Sequence, residues 1–311
     1  MKNKKNVMLY AALLILIFHL WVNITERTSN LFQYENFIRL ICYIGVDIFF
    51  FISAYSISKK EIKDYKKFIL SRLDKVYLPF IIFAIIQFFY KGWKIKTLLL
   101  TITSANLFIK GGGSFLWFAP AIMLMYLVLP LLNKKKNIYT VIFPFIVWLI
   151  LALLATYTTN NQLLIFINRI PIILLGSIIS KYNIFEKLNK KLYIGIAIIL
   201  FILGNVILYN TMTYNFEYIY DIKYILSIPL VLGSIMLIDL IPSNKVSDIL
   251  GSITFEVYAV QMIIGFDLVS YLLKITKNIV LINISSIILI FTISYIINYI
   301  YTFIRKKVVV K

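Results

Sequence analysis

The chain has 311 residues, 61% of them apolar and 14% charged, with mean hydropathy +0.89 and formal net charge +19. That composition excludes an ordinary soluble domain, because most apolar runs reach the roughly 20 residues a bilayer-spanning helix needs. One histidine and one cysteine allow neither an intramolecular disulfide nor a usual zinc site. No glycine-rich nucleotide loop is present, which disfavours an ATP-driven pump.

In chain order, Lys2, Lys4 and Lys5 precede an apolar run over 7–23 that carries His19. The run ends in "HLWVNITER" with no small-residue cleavage site, so it is expected to stay as an anchor. A second run, 37–57, carries Arg39, Cys42 and Asp47, and a basic stretch of helical period leads into a third over 68–90. Arg72, Asp74 and Lys75 fall in the first turns of that third run. The stretch 91–114 holds "TLLLTITSANLFI" and a glycine run; it is too short and polar for a span and reads as an external or re-entrant segment. Seven further runs follow at 115–133, 138–157, 163–180, 192–209, 223–241, 250–274 and 279–304. The expectation is an all-α integral membrane protein of about ten transmembrane helices, forming a single domain over 1–311.

Orientation follows from the basic residues. With the N-terminus in the cytoplasm, ten helices place 22 of the 32 Lys and Arg on the cytoplasmic side and eight outside, and both termini are cytoplasmic. The same segments hold five acids, so this face is strongly positive, suited to anionic membrane lipids and anionic cytosolic ligands. Nucleic acid is not an expected partner, since the charge is scattered over short loops without a binding module. The bias toward Ile, Lys and Asn fits an AT-rich bacterial genome.

An imidazole is a side chain that ordinarily titrates near neutral pH, so His19 is costly in hydrocarbon unless it faces protein or water. It lies twelve residues from the start of its run, roughly 18 Å along a helix. Either it is a neutral side chain bonded to a neighbouring helix, or it is a base whose second nitrogen is fixed by a carboxylate. Arg39, Arg169 and Asp267 fall at comparable height, with Asp47 nearer mid-membrane. Arg39 either snorkels to the interface or contacts substrate. Arg169 either pairs with a neighbouring helix or contacts substrate, with Asp47 and Asp267 as candidate structural partners of the two arginines. Arg72 and Lys75, spaced i, i+3, share one side of a helix at the cytoplasmic mouth, where they serve topology or bind phosphate.

"IGVDIFFFISAYSI" after a His-bearing first helix, then "FILSRLDKVYLPF", "FLWFAPAIMLMYLVLPLL", "INRIPIILLG" and "GSITFEVYAVQ", resemble in order the membrane acyltransferase-3 family. The resemblance spans about residues 7 to 265 and implies transfer of an acyl group from cytosolic acyl-CoA to an extracytoplasmic glycan or other envelope acceptor. It implies His19 as the catalytic histidine, Arg72 and Lys75 as contacts for acyl-CoA, and Asp47 and Trp117 as residues shaping the site. Glu256 is implied as the acidic partner. The chain departs from the family pattern at Met8, where arginine is frequent, at Ala54 in place of glycine, and at Gln261 where a second histidine is common. No hydrolase-like extension follows, so a second catalytic domain is expected on another polypeptide where one is needed.

The expected function is therefore a membrane O-acyltransferase of the bacterial cytoplasmic membrane, most simply an O-acetyltransferase acting on a surface polysaccharide or its lipid-linked precursor. Acyl-CoA is a co-substrate, and neither a bound cofactor nor a metal is expected. Site residues are His19, Asp47 and Glu256 for chemistry, Arg72 and Lys75 for the donor, and Arg39, Trp117 and Arg169 for the substrate. Depth favours Asp47 or Asp267 as the carboxylate orienting His19, whereas the resemblance favours Glu256. The competing class is a transporter or flippase of a glycan or lipid-linked intermediate. A third reading is an accessory subunit of a polysaccharide synthase.

Overall fold

The computed structural model describes residues 1–19, 38, 41–59, 61–108, 117–132, 139–155, 161–213 and 223–309. Arg39 and the glycine run at 111–113 lie outside them. All regular structure among the described residues is helical. In chain order the helices are α1 (Lys4–Phe18), α2 (Ile44–Ser58), α3 (Tyr65–Arg72), α4 (Leu78–Lys91), α5 (Ile95–Ile102), α6 (Phe118–Leu132), α7 (Tyr139–Ala155) and α8 (Asn161–Ile167). They continue as α9 (Ile170–Lys181), α10 (Ile184–Lys187), α11 (Lys190–Thr213), α12 (Lys223–Leu226), α13 (Ile228–Asp239), α14 (Lys245–Leu250), α15 (Thr254–Ile275) and α16 (Ile279–Val309). Each of the ten apolar runs is thus helical over most of its length. Four stretches are long and apolar enough to cross a bilayer: Leu163–Lys181, Lys190–Thr211, Thr254–Ile275 and Ile279–Arg305. Ile44–Ser58, Phe118–Pro130 and Ile228–Asp239 are shorter apolar helices.

The chain divides into two compact units, one of Asp47–Leu237 together with Met1, the other of Lys2–Val46 with Ile238–Lys311. In the first, α3 starts where the Asp64 carboxylate accepts the Lys67 amide at 2.9 Å, an N-cap that satisfies an orphan donor. The helical path from α3 to α4 passes through a π-helical turn at Leu73–Tyr77. Gly92, with φ +62°, ends α4 in the left-handed conformation that glycine adopts at little cost. Helix α5 then doubles back along α4, so that Tyr77 Oη donates to Ile102 O at 2.5 Å. Helices α11 and α13 approach so closely that a side chain on Gly233 would run into the Phe201 backbone and one on Gly204 into Leu230. Small residues permit such contact where hydrophobic burial gives membrane helices little drive to associate. Lys59, just after α2, pairs with Glu186 on α10. That pair puts two segments, both expected in the cytoplasm, on one side.

In the second unit α15 and α16 form an antiparallel pair, and α1 packs on α14 and α15. The backbone amides of Lys2 and Asn3 both donate to Asp239 Oδ1 at 2.8 Å, and Asn6 Nδ2 donates to Ile241 O at 2.7 Å. Asn244 caps α14 through a reciprocal pair with Ser247. The residues before α1 therefore share a side with 239–251. Helix α16 leaves Ile284, Ile288, Tyr295 and Tyr299 exposed along its length. An apolar exposed face of this kind suits hydrocarbon better than water.

Candidate functional site

His19 closes α1 instead of lying within it. Its backbone amide is shared between Ile15 O and Leu16 O, both at 3.1 Å, and residues 20–23 of the expected run lie outside the described residues. The side chain folds back onto the same turn, with Nδ1 2.9 Å from Ile15 O. A carbonyl oxygen only accepts, so Nδ1 carries the proton and Nε2 the lone pair, the tautomer a base at Nε2 needs. The last carbonyls of a helix lack intrahelical partners, which makes Ile15 O available for this contact. The Phe18 ring meets the imidazole edge-on at 4.9 Å. From α15 the side-chain amide of Gln261 comes within 3.3 Å of Nδ1. Glu256, five residues earlier on the same helix, accepts from Asn298 Nδ2 of α16 at 2.6 Å. Thus two polar side chains of α15 are engaged in this unit, Gln261 with the histidine and the candidate Glu256 with an asparagine.

Three sequence candidates converge in the other unit. Helix α8 ends at Ile167 and α9 begins after Arg169, because Pro171 near the start of α9 has no amide to continue a helical ladder. This break lets Arg169 turn onto Asp47 of α2, with Nε 3.1 Å from Oδ1. Both are buried, at 4% and 2% exposure, so neither charge has bulk water to solvate it. Arg169 Nη1 also donates to Ile165 O at 2.9 Å, and its guanidinium lies 5.3 Å over the Trp117 ring. Phe50, fully buried, sits against Trp117, Phe118 and Phe166. The sequence left Asp47 and Asp267 as candidate partners of Arg39 and Arg169 alike; the structure holds an Arg169–Asp47 contact.

Arg72 and Lys75 flank the start of a π-helical turn at Leu73–Tyr77, which takes more residues than an α turn. Lys75 is exposed, while Arg72 lies between two rings, 5.0 Å from Phe68 and 5.3 Å from Tyr126. Its Nε is buried without a hydrogen-bond acceptor among the described residues, so one edge of the fork has unused donor capacity. π turns of this kind are frequent at functional sites.

Sequence reading missed Phe68 and Tyr126 around Arg72, and Asn298 and Ser286 on α16. Phe68 was findable, since it precedes Arg72 by four residues and so shares its helix face. Tyr126 and Asn298 come from distant helices, and no local spacing announces them. A small cavity of about 10 Å³ is lined by His19, Gln261, Ser286, Gly265 and apolar residues of α1, α15 and α16. Phe108 and residues of α6, α7, α8 and α9 line an apolar cavity of about 440 Å³, and one of them, Phe166, also packs on Phe50. No group of three or more His, Cys, Asp or Glu residues that could hold a metal occurs among the described residues.

The model of a family described as an acyltransferase domain matches residues 9–302, nearly the whole chain. Neither a curated protein nor a solved structure matches.

Proposed function

The chain belongs to the acyltransferase-3 family and is a membrane acyltransferase, and we propose that it moves an acyl group, acetyl in the simplest case, from cytosolic acyl-CoA to a hydroxyl of a surface glycan or its lipid-linked precursor. The observation that carries this reading is the 2.9 Å contact of His19 Nδ1 with Ile15 O, which calls for a proton on Nδ1 and leaves the lone pair on Nε2. In the reaction Nε2 takes the proton of the acceptor hydroxyl as its oxygen attacks the thioester carbonyl. The carbon–sulfur bond breaks, and the imidazolium returns the proton to the departing thiolate, giving ester and free thiol.

Arg72 is the contact for the phosphates of the donor, because a guanidinium stacked between Phe68 and Tyr126 keeps its planar fork presented. Lys75, exposed on the same segment, adds a point charge. Asp47, Arg169 and Trp117 form a rigid polar wall on the substrate side, and Arg39 is a further substrate contact. Glu256, bonded to Asn298, acts on the packing of α15 and α16. Ten spans with both termini in the cytoplasm, and a re-entrant 91–114, are the topology that goes with this scheme. The shared sides of Lys59 with Glu186, and of the N-terminus with Asp239, support it.

The test is transfer of labelled acetyl from acetyl-CoA into the envelope fraction by membranes carrying the chain. A general base contributes about 10²–10⁴-fold, so His19→Ala and His19→Gln should lose detectable transfer while still inserting. Glutamine keeps size and hydrogen bonding but cannot take up the proton. Near-normal transfer by His19→Gln would make the histidine a structural hydrogen-bonder and end this reading.

A further inference from the structure

His19 Nδ1 carries its proton because Ile15 O lies 2.9 Å away, and this fixes how the Gln261 amide must be turned. The structure sets Gln261 Nε2 3.3 Å from Nδ1, which would bring one N–H against another; the amide oxygen and nitrogen are interchangeable in shape, and turning the amide over puts the acceptor Oε1 on the imidazole. The unturned amide also leaves Oε1 buried without a donor among the described residues. With Oε1 on the histidine, the Gln261 NH₂ group turns away from it toward the small cavity that both residues line.

Ser286 of α16 lines the same cavity. Two hydroxyls further along the same helix bond back to carbonyls four residues earlier: Thr292 to Ile288 O at 2.8 Å and Ser294 to Ile290 O at 2.6 Å. Ser286 does not; its Oγ is buried and unpartnered among the described residues. Gln261 and Ser286 are each 2% exposed, so bulk water does not satisfy them. The cavity they share, about 10 Å³, has room for roughly one water molecule, and His19, Gln261 and Ser286 are the polar partners in an otherwise apolar lining.

We infer that Gln261, braced by one buried water on Ser286, is a positioning residue for His19: it gives Nδ1–H a second acceptor beside Ile15 O and so holds Nε2 as the base. The inference rests on the role of His19 proposed above. The water accepts from Gln261 and donates to Ser286, which fixes the amide in the orientation the imidazole requires. As Nε2 takes the acceptor proton, the Gln261 oxygen joins Ile15 O in sharing the imidazolium charge. Gln261 never touches substrate; it acts through the ring.

His19 is the sole histidine of the chain, so ¹⁵N-histidine labelling of the full-length protein in lipid nanodiscs reports one imidazole without ambiguity. The expected spectrum shows Nδ1 protonated and Nε2 bare. A protonated Nε2 in the neutral ring would overturn the inference. In the acetyl-CoA assay Gln261→Leu should lower kcat roughly ten- to a hundredfold, the size of one hydrogen bond to a charged group, with KM for acetyl-CoA unchanged. Gln261→Glu restores an acceptor and should recover most of the rate. Ser286→Ala should cost a few-fold alone and nothing further on top of Gln261→Leu, because both act through one network. Wild-type kcat in Gln261→Leu, with His19→Gln inactive, would remove Gln261 and leave the base in place. An active His19→Gln would remove both, so the two failures are told apart.

Discussion

Breaking the Asp47–Arg169 pair should destabilise the protein far more than deleting it whole. At 3.1 Å the Coulomb attraction is about 5 kcal/mol for an effective dielectric near 20, largely offset by the desolvation of both groups. With either partner removed, the attraction is gone while the other charge stays buried at a few per cent exposure. Asp47→Ala and Arg169→Met should therefore each cost about 3–5 kcal/mol. The double variant buries no lone charge and should cost less than either single, leaving a coupling of at least about 2 kcal/mol. Unfolding by SDS titration in mixed micelles, on all four proteins, measures the cycle. Losses that add within about 0.5 kcal/mol would show that the two side chains are energetically independent, and the rigid-wall role assigned to them would fall.

Arg72→Ala should raise the apparent KM for acetyl-CoA at least tenfold, and Arg72→Lys should recover only part, since an ammonium cannot present a planar fork between Phe68 and Tyr126; unchanged saturation curves for both variants would take Arg72 out of the donor site. In a Cys42→Ser background, single cysteines at Ser29 and Thr159 should react with an impermeant thiol reagent applied to intact cells and one at Lys135 should not, and the reverse pattern would invert the topology and the donor side with it. Gly233→Leu should drive α13 off the Phe201 backbone, costing about 1–3 kcal/mol or more in the same SDS titration, whereas a neutral result would mean the α11–α13 contact is looser than the structure has it.

Much of this protein is written locally. A bilayer leaves a backbone little choice but to form helices; the ten apolar runs are helical over most of their length, and four helices among the described residues are long and apolar enough to cross a membrane. The family, too, was legible, in the order of short motifs from "IGVDIFFF" to "FEVYAVQ", and the match over 9–302 bears it out. His19 and Arg169 drew notice for a purely energetic reason, since ionisable groups in hydrocarbon are expensive. Only tertiary structure decided what they touch. Arg169 reaches Asp47 because the chain breaks between α8 and α9, and the preceding Asn-Arg-Ile-Pro sequence shows the proline but not the direction of the turn. Arg72 lies between Phe68 and Tyr126 at the start of a π turn, and helix periodicity carries no sign of that turn or of Tyr126. Gln261, which the motif comparison marked only as a missing histidine, meets His19 through the packing of α1 on α15. Side-chain partners 242 residues apart in sequence are fixed by how helix faces interlock, and that depends on shapes summed over every contact, which no single window of sequence contains.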